Sequence, residues 1–224
     1  MIKEKKSGQV IVISSPSGGG KGSIIKGLLK NDNQTRWLSI STTTRKKRKS
    51  DIEGVTYNFT TKEDFENKIK QNYFLEYATY ADNYYGTPKN SIKEKIDKGI
   101  DVILEIEIEG AKNIKKIIPE AIFIFIMPPS LEVLLKRLKN RNTETKETII
   151  KRFNAAYKEI NEVSKYNYVV VNDKLDIAID KVESIIKAEK CRVDRIEEVY
   201  LDNKEEYIHE LLIDKQFDNS EILK

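Results

Sequence analysis

The chain has 224 residues, 34% of them charged and 39% hydrophobic, which is typical of one globular domain with room for a small inserted subdomain. The net charge of +4 is too small to indicate nucleic-acid binding. The single Cys191 excludes an intrachain disulfide, and the single His209 argues against histidine-dependent nucleophilic catalysis and most catalytic metal sites. Because there is no signal-peptide pattern and no apolar run of membrane-spanning length, we expect a cytoplasmic protein with no membrane partner.

The first predicted elements are a short strand at residues 10–13, a glycine-rich loop at 14–23 and a helix that begins near residue 24. The loop reads Ser-Ser-Pro-Ser-Gly-Gly-Gly-Lys-Gly-Ser, and this order of strand, loop and helix is typical of a phosphate-binding loop. Its glycines allow the chain to wrap closely around an anion, while the loop N–H groups, the helix N-terminus and Lys21 all favour negative charge. The pattern predicts a nucleoside triphosphate site.

Two positions of the loop depart from the pattern Gly-x-x-x-x-Gly-Lys-Ser/Thr. Ser15 replaces the first glycine and Gly22 replaces the hydroxyl-bearing residue, although Ser23 supplies a hydroxyl one position later. Short motifs of this kind also arise by chance. On the loop alone, a glycine-rich turn that binds nothing is therefore a second interpretation.

Three later segments predict the other strands of a buried parallel sheet. They lie at residues 102–108, 121–127 and 168–171. Apolar residues with helical spacing follow the last two, at 131–138, where Ser130 is a suitable N-cap, and at 175–186. Strands that alternate with helices predict an α/β fold, in which ligands lie beyond the carboxyl ends of the strands.

Acidic residues recur at the end of the segment 102–108 and just beyond it. In a continuous strand, period-two alternation would place Glu105, Glu107 and Glu109 on one face and apolar residues on the other. Carboxylates at the end of a buried strand cost free energy unless they are paired or used, which favours a functional role. An edge strand with one solvated face is an equally good interpretation.

The segment from Ser39 to Pro88 interrupts this alternation and predicts an inserted, mostly β subdomain. It is rich in Thr, Tyr and Asn, has strand-like pieces such as 57–60, and contains one predicted helix at 62–70 that Thr61 can cap. The basic run at 45–49 is typical of a solvated surface, and a nucleic-acid or localisation signal is the weaker alternative.

Several segments, taken together and in order, resemble the guanylate kinases. The matching segments are residues 16–23, 39–45 with Arg48, Asp51 and Gly54, 57–59, 74–77, 83–87, 126–130, 137–144 and 170–173. The resemblance covers about residues 8–189 and is specific, because many separate motifs occur at matching spacings. It implies a P-loop nucleoside monophosphate kinase fold with a parallel central sheet flanked by helices, a small mixed α/β subdomain that binds GMP, and a helical lid.

The resemblance also implies a division of the chain. Residues 1–38 and 91–189 would form the P-loop core, with the lid at about 137–155, and residues 39–90 would form the GMP-binding subdomain. Residues 190–224 would be a C-terminal extension of unknown role. In the extension, Val193, Ile196, Val199 and Tyr200 have helical spacing, repeated weakly at 207–212. One or two packed helices, a self-association surface and a frayed tail are three open interpretations.

The activity implied by the resemblance is transfer of the γ-phosphoryl group of ATP to GMP, with Mg²⁺ as Mg-ATP. The implied ATP-binding residues are Ser15, Pro16, Ser17, Gly18, Gly19, Gly20, Lys21, Gly22, Ser23, Arg141 and Asn172. The implied GMP-binding residues are Ser41, Arg45, Arg48, Tyr57, Glu76, Tyr85, Thr87 and Glu107. The implied catalytic residues are Lys21, Arg45, Arg137 and Arg152.

The residue types agree with these implied roles. Arginines can hold the dianionic phosphate of GMP through bidentate contacts. The carboxylate of Glu76 can accept both the N1–H and the N2 amino group of guanine, and the Thr87 hydroxyl can contact O6. Because adenine lacks this pair of donors, AMP would leave the carboxylate unpaired, a mismatch that can discriminate by about 10⁴-fold.

Glu105 and Glu107 stand where guanylate kinases usually carry aspartates. The family position of Glu105 would help to hold Mg²⁺ through water, and that of Glu107 would lie near the guanine site. We expect no protein ligand directly on the metal. Each extra methylene group moves the carboxylate outward by about 1.5 Å, one C–C bond length.

Two other functions compete with a guanylate kinase. One is a guanylate-kinase-like binding module without catalysis, against which the intact loop with Lys21 argues. The other is a related small-molecule kinase with a different phosphate acceptor, against which Glu76 and Thr87 argue. We expect no stable nucleic-acid partner, and either a monomer or a homodimer.

Overall fold

The computed structural model of the chain describes residues 2–4, 7–48, 51–80, 82–139 and 146–199. The chain forms two compact units, a large one at Lys6–Ile186 and a small one made of Met1–Lys5 and Lys187–Lys224. None of the helices in the described ranges is long and apolar enough to cross a membrane.

In chain order, the described strands are β1 (Ile2–Glu4), β2 (Val10–Ser14), β3 (Arg36–Leu38), β4 (Thr42–Thr43), β5 (Asn58–Phe59), β6 (Phe74–Tyr80), β7 (Asn83–Pro88), β8 (Asp101–Glu105), β9 (Ile122–Met127), β10 (Tyr168–Val171) and β11 (Ile196–Val199). The described helices are α1 (Lys21–Asn31), α2 (Lys62–Lys70), α3 (Lys89–Asp97), α4 (Ile108–Ile117), α5 (Leu131–Lys139), α6 (Lys146–Ile160) and α7 (Leu175–Lys190).

The central sheet of the large unit has five parallel strands in the order β10-β9-β2-β8-β3. Strand β2 lies in the middle, where Val12 is in register with Leu104 on one side and Phe123 on the other. The four predicted strands are confirmed, although the one at 102–108 ends earlier than expected. The three-residue β3 was not predicted, because so short a run carries no periodic signal.

Helices cover both faces of this sheet. On one face, Ile11 and Ile13 of β2 pack with Ile24 and Leu28 of α1 and with Val182 of α7. The opposite layer is formed by β2, β8, α3 and α4, through Val10, Val12, Ile92, Val102, Leu104, Ala111 and Ile114. Because successive side chains of a strand point to opposite faces, burial on both faces requires continuous apolar runs. This explains why the sequence of β9 is apolar throughout.

A second sheet, in the order β5-β4-β7-β6, lies in the segment that was predicted as an insertion. Helix α2 packs on it through Phe65, which stacks on Phe74 with ring centroids 4.4 Å apart. Gly86 allows this contact, since a Cβ atom there would lie 2.8 Å from both rings. The predicted helix and its cap are confirmed, because the Thr61 hydroxyl accepts a hydrogen bond from the N–H of Asp64.

Helices α5 and α6 pack on each other through a small apolar cluster. Leu134 and Leu138 of α5 meet Ala156 of α6, and all three side chains are buried. The N–H of Val133 donates to the hydroxyl of Ser130 at 3.1 Å, which confirms the predicted cap of α5. The cluster makes α5 and α6 one packed pair beside the phosphate-binding loop.

In the small unit, β1 pairs antiparallel with β11. The helical interpretation of the extension is therefore wrong for Ile196–Val199, which form a strand after a short 3₁₀ turn at Val193–Arg195. The apolar spacing suggested a helix, but pairing with the distant start of the chain supplies the backbone hydrogen bonds instead. Tyr200 and residues 207–212 lie outside the described residues.

The buried side chain of Ile11 provides a test of this fold. Ile11→Ala is expected to lower the free energy of unfolding by about 2–5 kcal/mol, because it removes apolar contacts and leaves a cavity in the middle of the sheet. Ile11→Val, the matched control, should cost only about 0.5–1.5 kcal/mol. Urea unfolding followed by circular dichroism measures both, and equal losses for the two variants would contradict the central position of Ile11.

Candidate active site

The loop after β2 has the backbone conformation that phosphate binding requires. Gly18 and Gly20 have φ angles of 89° and 93°, in the left-handed region that favours glycine. Gly20 is the N-cap of α1, so the first N–H groups of this helix, which have no partner within the helix, lie at the end of the loop. The turn is closed by the N–H of Gly19, which donates to the carbonyl of Pro16 at 2.8 Å.

The remaining loop residues are placed around this turn. The buried Ser15 donates its hydroxyl to the carbonyl of Pro16 at 3.1 Å. Ser23 is exposed in the first turn of α1, so its hydroxyl faces solvent. Gly22 lies beside Glu105, whose Oε1 would be 3.7 Å from a Cβ atom at position 22. The carboxylate of Glu105 is therefore next to the position where other phosphate loops carry a hydroxyl group.

Lys21 connects the loop to the end of β8. Its Nζ donates to the carbonyl of Ile106 at 3.3 Å and lies 3.6 Å from Oε1 of Glu107. The same carbonyl accepts the hydroxyl of Ser14 at 2.9 Å. These contacts place the carboxylate of Glu107 beside the amino group of Lys21.

The expected strand at 102–108 is partly wrong. Strand β8 ends at Glu105, and Glu107 is the N-cap of α4, which carries Glu109 in its first turn. The three glutamates therefore do not share one face of a strand. The apolar residues Ile106 and Ile108 continue the alternation in sequence, but Ile108 already belongs to the buried face of the helix.

Two arginines from the packed helices α5 and α6 reach the loop. Arg137 donates to the carbonyls of Gly19 at 3.4 Å and Asn172 at 2.9 Å. Arg152 donates to the hydroxyl of Ser17 at 2.7 Å. The structure thus brings both predicted arginines to the phosphate site, whereas Arg141 lies outside the described residues.

Asn172 follows β10 and braces the loop. It is buried, and its Nδ2 donates to the carbonyl of Gly19 at 2.9 Å. A Cβ atom at position 20 would lie 2.2 Å from this nitrogen, so the contact depends on glycine there. The sequence pointed to a nucleotide contact for Asn172, and the structure adds a positioning contact with the loop backbone.

One residue of the site was not predicted from the sequence. The N–H of Ser17 donates to Oε2 of Glu159, on α6, at 3.1 Å. Burial is the largest cause of the raised pKa of Glu159, and the charge of Glu107 adds to it. A signal existed, because Glu159 and Arg152 are seven residues apart and lie on one face of a helix.

A second pocket contains a buried carboxylate. Glu76 of β6 is 7% exposed, and its Oε1 accepts the hydroxyl of Thr87 at 2.6 Å. Its Oε2 is buried without a hydrogen-bond partner among the described residues. Burial raises the pKa of Glu76 to about 6, and the bond from Thr87 opposes this rise. On the far side, Oε2 would lie 3.1 Å from a Cβ atom at Gly110, in the first turn of α4.

A cationic and aromatic group lies beside this carboxylate. Nη1 of Arg45 is 3.0 Å from Oδ2 of Asp51, and its guanidinium group lies 5.3 Å from the ring centre of Tyr57. Tyr57 meets Tyr85 edge to face at 5.9 Å. Burial, followed by the charge of Glu105, raises the pKa of Tyr57 to about 12.

Two other predicted residues are less closely joined to this group. Arg48 is exposed, and its backbone N–H donates to Oδ2 of Asp51 at 2.7 Å. Ser41 is half-buried just before β4, and its carbonyl accepts the N–H of Asn58 at 2.9 Å. Both lie near the start of the second sheet, on the same side of the pocket as Arg45.

The described residues contain no group of three or more His, Cys, Asp or Glu side chains placed to hold a metal ion. The carboxylate nearest to the loop glycine Gly22 is that of Glu105. A single carboxylate at this distance suits a cation that keeps most of its water ligands, as Mg²⁺ does with nucleotides.

The fold and the site define a P-loop protein with its glycine-rich loop at the carboxyl ends of parallel strands and with a buried carboxylate, Glu76, against the first turn of α4. The chain belongs to the guanylate kinase family, because the family model described as Guanylate kinase matches residues 7–189. The resemblance found in the sequence is thereby confirmed.

Individual relatives agree with this assignment. A guanylate kinase of Clostridium tetani is 57% identical over 209 residues, which are 93% of this chain and 100% of that protein. A guanylate kinase of Clostridium acetobutylicum is 54% identical and covers 93% of this chain and 99% of its own length. The crystal structure of guanylate kinase from Anaplasma phagocytophilum has a TM-score of 0.73 at 31% identity, covering 87% of this chain and 92% of that one.

The environment of Glu76 gives a prediction that needs no ligand. A ¹³C NMR titration should give a pKa of about 6 for Glu76, and Thr87→Val should raise this pKa further, because the hydroxyl stabilises the ionised form. The folded protein binds the proton of this carboxyl more tightly than the unfolded chain does. Its contribution to the free energy of unfolding is therefore fully present below pH 4.5 and is lost as the pH rises through about 6.

Thr79→Val is the control for this titration, since Thr79 lies on the same strand but is exposed. It should leave the pKa of Glu76 unchanged. An ordinary carboxyl pKa for Glu76 in the unmodified protein would show that the side chain is solvated, contrary to its position here.

Proposed function

We propose that the protein transfers the γ-phosphoryl group of ATP to GMP, giving ADP and GDP. The observation that carries this proposal is Oε2 of Glu76, a buried carboxylate oxygen without a hydrogen-bond partner among the described residues. Burying such an oxygen costs free energy unless a ligand pairs with it. The adjacent N1–H and N2 amino groups of guanine are suitable donors.

Recognition of the guanine base rests on two side chains in this proposal. Glu76 accepts from guanine. The Thr87 hydroxyl donates its one proton to this carboxylate at 2.6 Å when guanine is absent, and it turns to donate to O6 when guanine binds. Glu107, at the start of α4, lies at the border between this pocket and Lys21. Adenine presents no matching pair of donors, so the same pocket excludes AMP.

The phosphate of GMP is held by the cationic and aromatic group. Arg45 exchanges its contact with Asp51 for the phosphate, and Arg48 adds a second guanidinium group from the exposed side. The hydroxyl groups of Ser41, Tyr57 and Tyr85 supply neutral donors. The raised pKa of Tyr57, about 12, keeps its hydroxyl protonated at neutral pH.

ATP binds to the loop in this proposal. The N–H groups of residues 15–23 surround its phosphates, and Lys21 reaches the β- and γ-phosphates. Arg137 and Arg152 already touch the loop and neutralise the transferred group, with Arg141 as the third arginine of the lid. Asn172 contributes a contact to adenine in addition to its bond with Gly19.

Mg²⁺ neutralises the charge of the β- and γ-phosphates when it is bound with ATP. Glu105 fits the role of holding it through water, because its carboxylate lies beside Gly22 and no other described residue there supplies a direct ligand set. The hydroxyl that other loops place at this position is absent, so the carboxylate acts through water.

The reaction needs no protein nucleophile. A phosphate oxygen of GMP attacks the γ-phosphorus, a new P–O bond forms, and the bond from that phosphorus to the oxygen of the β-phosphate breaks to release ADP. The residues of the site orient the two nucleotides, exclude water and neutralise charge. The same arrangement makes a binding module without catalysis the weaker alternative, because the loop, Lys21 and both arginines are in place.

With this activity, the protein acts in purine nucleotide metabolism in the cytoplasm. It works as a monomer or as a homodimer in this proposal. An alternative phosphate acceptor is disfavoured by the buried pair of Glu76 and Thr87. Nucleic acid is not a proposed partner, because the basic run near Arg45 serves the phosphate of GMP.

ADP formation from Mg-ATP tests the proposal, with GMP, AMP, CMP and UMP offered separately. GMP should be preferred over AMP by about 10⁴-fold in kcat/KM. Lys21→Ala should lower kcat by about 10²-fold or more, because it removes a charge that stabilises the transferred phosphoryl group. Glu76→Ala should lower kcat/KM for GMP by at least about 10²-fold.

Lys30→Ala and Glu63→Ala are the matched controls, since both residues are exposed and lie on the same helix or subdomain. Both variants should retain activity. Binding of GMP without turnover of any acceptor would contradict the enzymatic proposal, and turnover of AMP equal to that of GMP would contradict the role of Glu76.

Gly110 provides a second test of the base pocket. Gly110→Ala should raise the KM for GMP by about tenfold and leave the KM for ATP unchanged, because the new Cβ atom pushes the Glu76 carboxylate out of position. The helix itself should not be weakened, since alanine favours helices by about 1 kcal/mol over glycine. Lys116→Ala, on the exposed face of α4, is the control, and an unchanged KM for GMP in Gly110→Ala would contradict the model of the pocket.

A further inference from the structure

The contact between Glu159 and the phosphate loop is not explained by the proposed reaction. Oε2 of Glu159 accepts the N–H of Ser17 at 3.1 Å. In a phosphate-binding loop, the backbone N–H groups are the donors for the phosphates of the nucleotide. Here one of these donors is already paired with a carboxylate of the same chain, which carries the same kind of charge as the ligand.

The surroundings of Glu159 resemble those of a bound phosphate. The positive charges that act on the carboxylate are those of Lys21 and Arg152, which are also the groups proposed to neutralise the γ-phosphate. Glu159 is half-buried, so little water replaces these partners. A phosphate oxygen at Ser17 and the carboxylate of Glu159 would therefore compete for the same N–H donor and for the attraction of the same two positive charges.

The position of Arg152 extends this argument. It lies on the same face of α6 as Glu159 and donates to the hydroxyl of Ser17 at 2.7 Å. Ser17 is thus held through both its N–H and its hydroxyl by one helix. A nucleotide that takes the N–H of Ser17 must separate the loop from Glu159, while Arg152 gains an attractive ligand in the phosphate.

The structure also has room for the displaced carboxylate. A cavity of about 290 Å³ lies beside Glu159, between the end of α6, the start of α4 and the end of β6. Tyr80, Glu107, Lys112 and Lys158 are among its lining residues. The lining holds both signs of charge, because Glu109 and Glu162 belong to it and Lys112 pairs with both of them, while Lys158 lies next to Glu159 in the sequence.

We propose that Glu159 is a determinant of ATP affinity, because its carboxylate occupies the position of a phosphate oxygen at the N–H of Ser17 and must leave when the triphosphate binds. This inference rests on the proposed function of the loop. The apparent Kd for ATP is then the intrinsic Kd divided by the fraction of molecules in which Glu159 does not occupy the loop. Binding of GMP, which uses the other pocket, does not depend on this contact.

Calorimetric titration with ATP and with inorganic pyrophosphate tests the inference on the full-length chain. Glu159→Gln keeps the size of the side chain but replaces a charged acceptor by a neutral one, which binds an N–H about half as strongly. Glu159→Ala removes the acceptor. The Kd for both ligands should be highest in the unmodified protein, lower in Glu159→Gln and lowest in Glu159→Ala. The difference between the first and the last should be about tenfold.

Glu132→Gln is the matched control. It removes the same charge on α5, the helix packed against α6, where the exposed carboxylate pairs with Lys136 and not with the loop. Its Kd for ATP should stay that of the unmodified protein, and the Kd for GMP should be the same in all four proteins. Unfolding curves of the two Glu159 variants verify that the fold is retained.

Equal or weaker ATP binding by both Glu159 variants, when the unmodified protein binds ATP, would overturn this inference alone and assign Glu159 a structural role. A decrease of the Kd for ATP of the same size in Glu132→Gln would overturn it as well, because the effect would then be one of net charge. Failure of the unmodified protein and both variants to bind ATP would reject the proposed function and this inference together.

Discussion

The carbonyl group of Ile106 is the point on which the rest of the site depends. It accepts hydrogen bonds from the hydroxyl of Ser14 and from Nζ of Lys21, so it ties the end of the central strand and the lysine of the loop to the turn between β8 and α4. Glu105 and Glu107 stand on either side of Ile106. One backbone junction in the core therefore carries the carboxylate beside Gly22 and the carboxylate beside Lys21.

Helix α4 carries this junction into the second pocket. Its N-cap, Glu107, lies beside Lys21, and one turn later the bare backbone of Gly110 packs against the carboxylate of Glu76. Lys21 and Glu76 thus both lie against the first turn of one helix. Under the proposed function, a shift of α4 would change the phosphate site and the base site together, which suits a reaction that requires both nucleotides to be oriented at the same time.

Internal carboxylates hold the phosphate-binding donors of this structure. Asp51 pairs with Arg45, Glu107 lies near Lys21, and Glu159 accepts from the loop at Ser17. Donors in a half-buried cleft cost free energy when they are left unpaired, so such partners stabilise the protein before the nucleotides arrive. Under the proposed function, nucleotides compete with these carboxylates for the same donors, so ligand affinity is a difference between two sets of ionic contacts.

The sequence by itself determined the phosphate loop, the parallel strands, the capped helix α2 and the residue types of the base pocket, because each is encoded within a few neighbouring positions. Only the tertiary structure decided where β8 ends and that Ile196–Val199 form a strand, since the same apolar spacing fits a helix and a strand until a distant partner supplies the hydrogen bonds. The contact of Ser17 with Glu159 spans 142 residues and that of Glu76 with Gly110 joins a strand to a helix. Such contacts arise from packing between elements, and no local pattern encodes them.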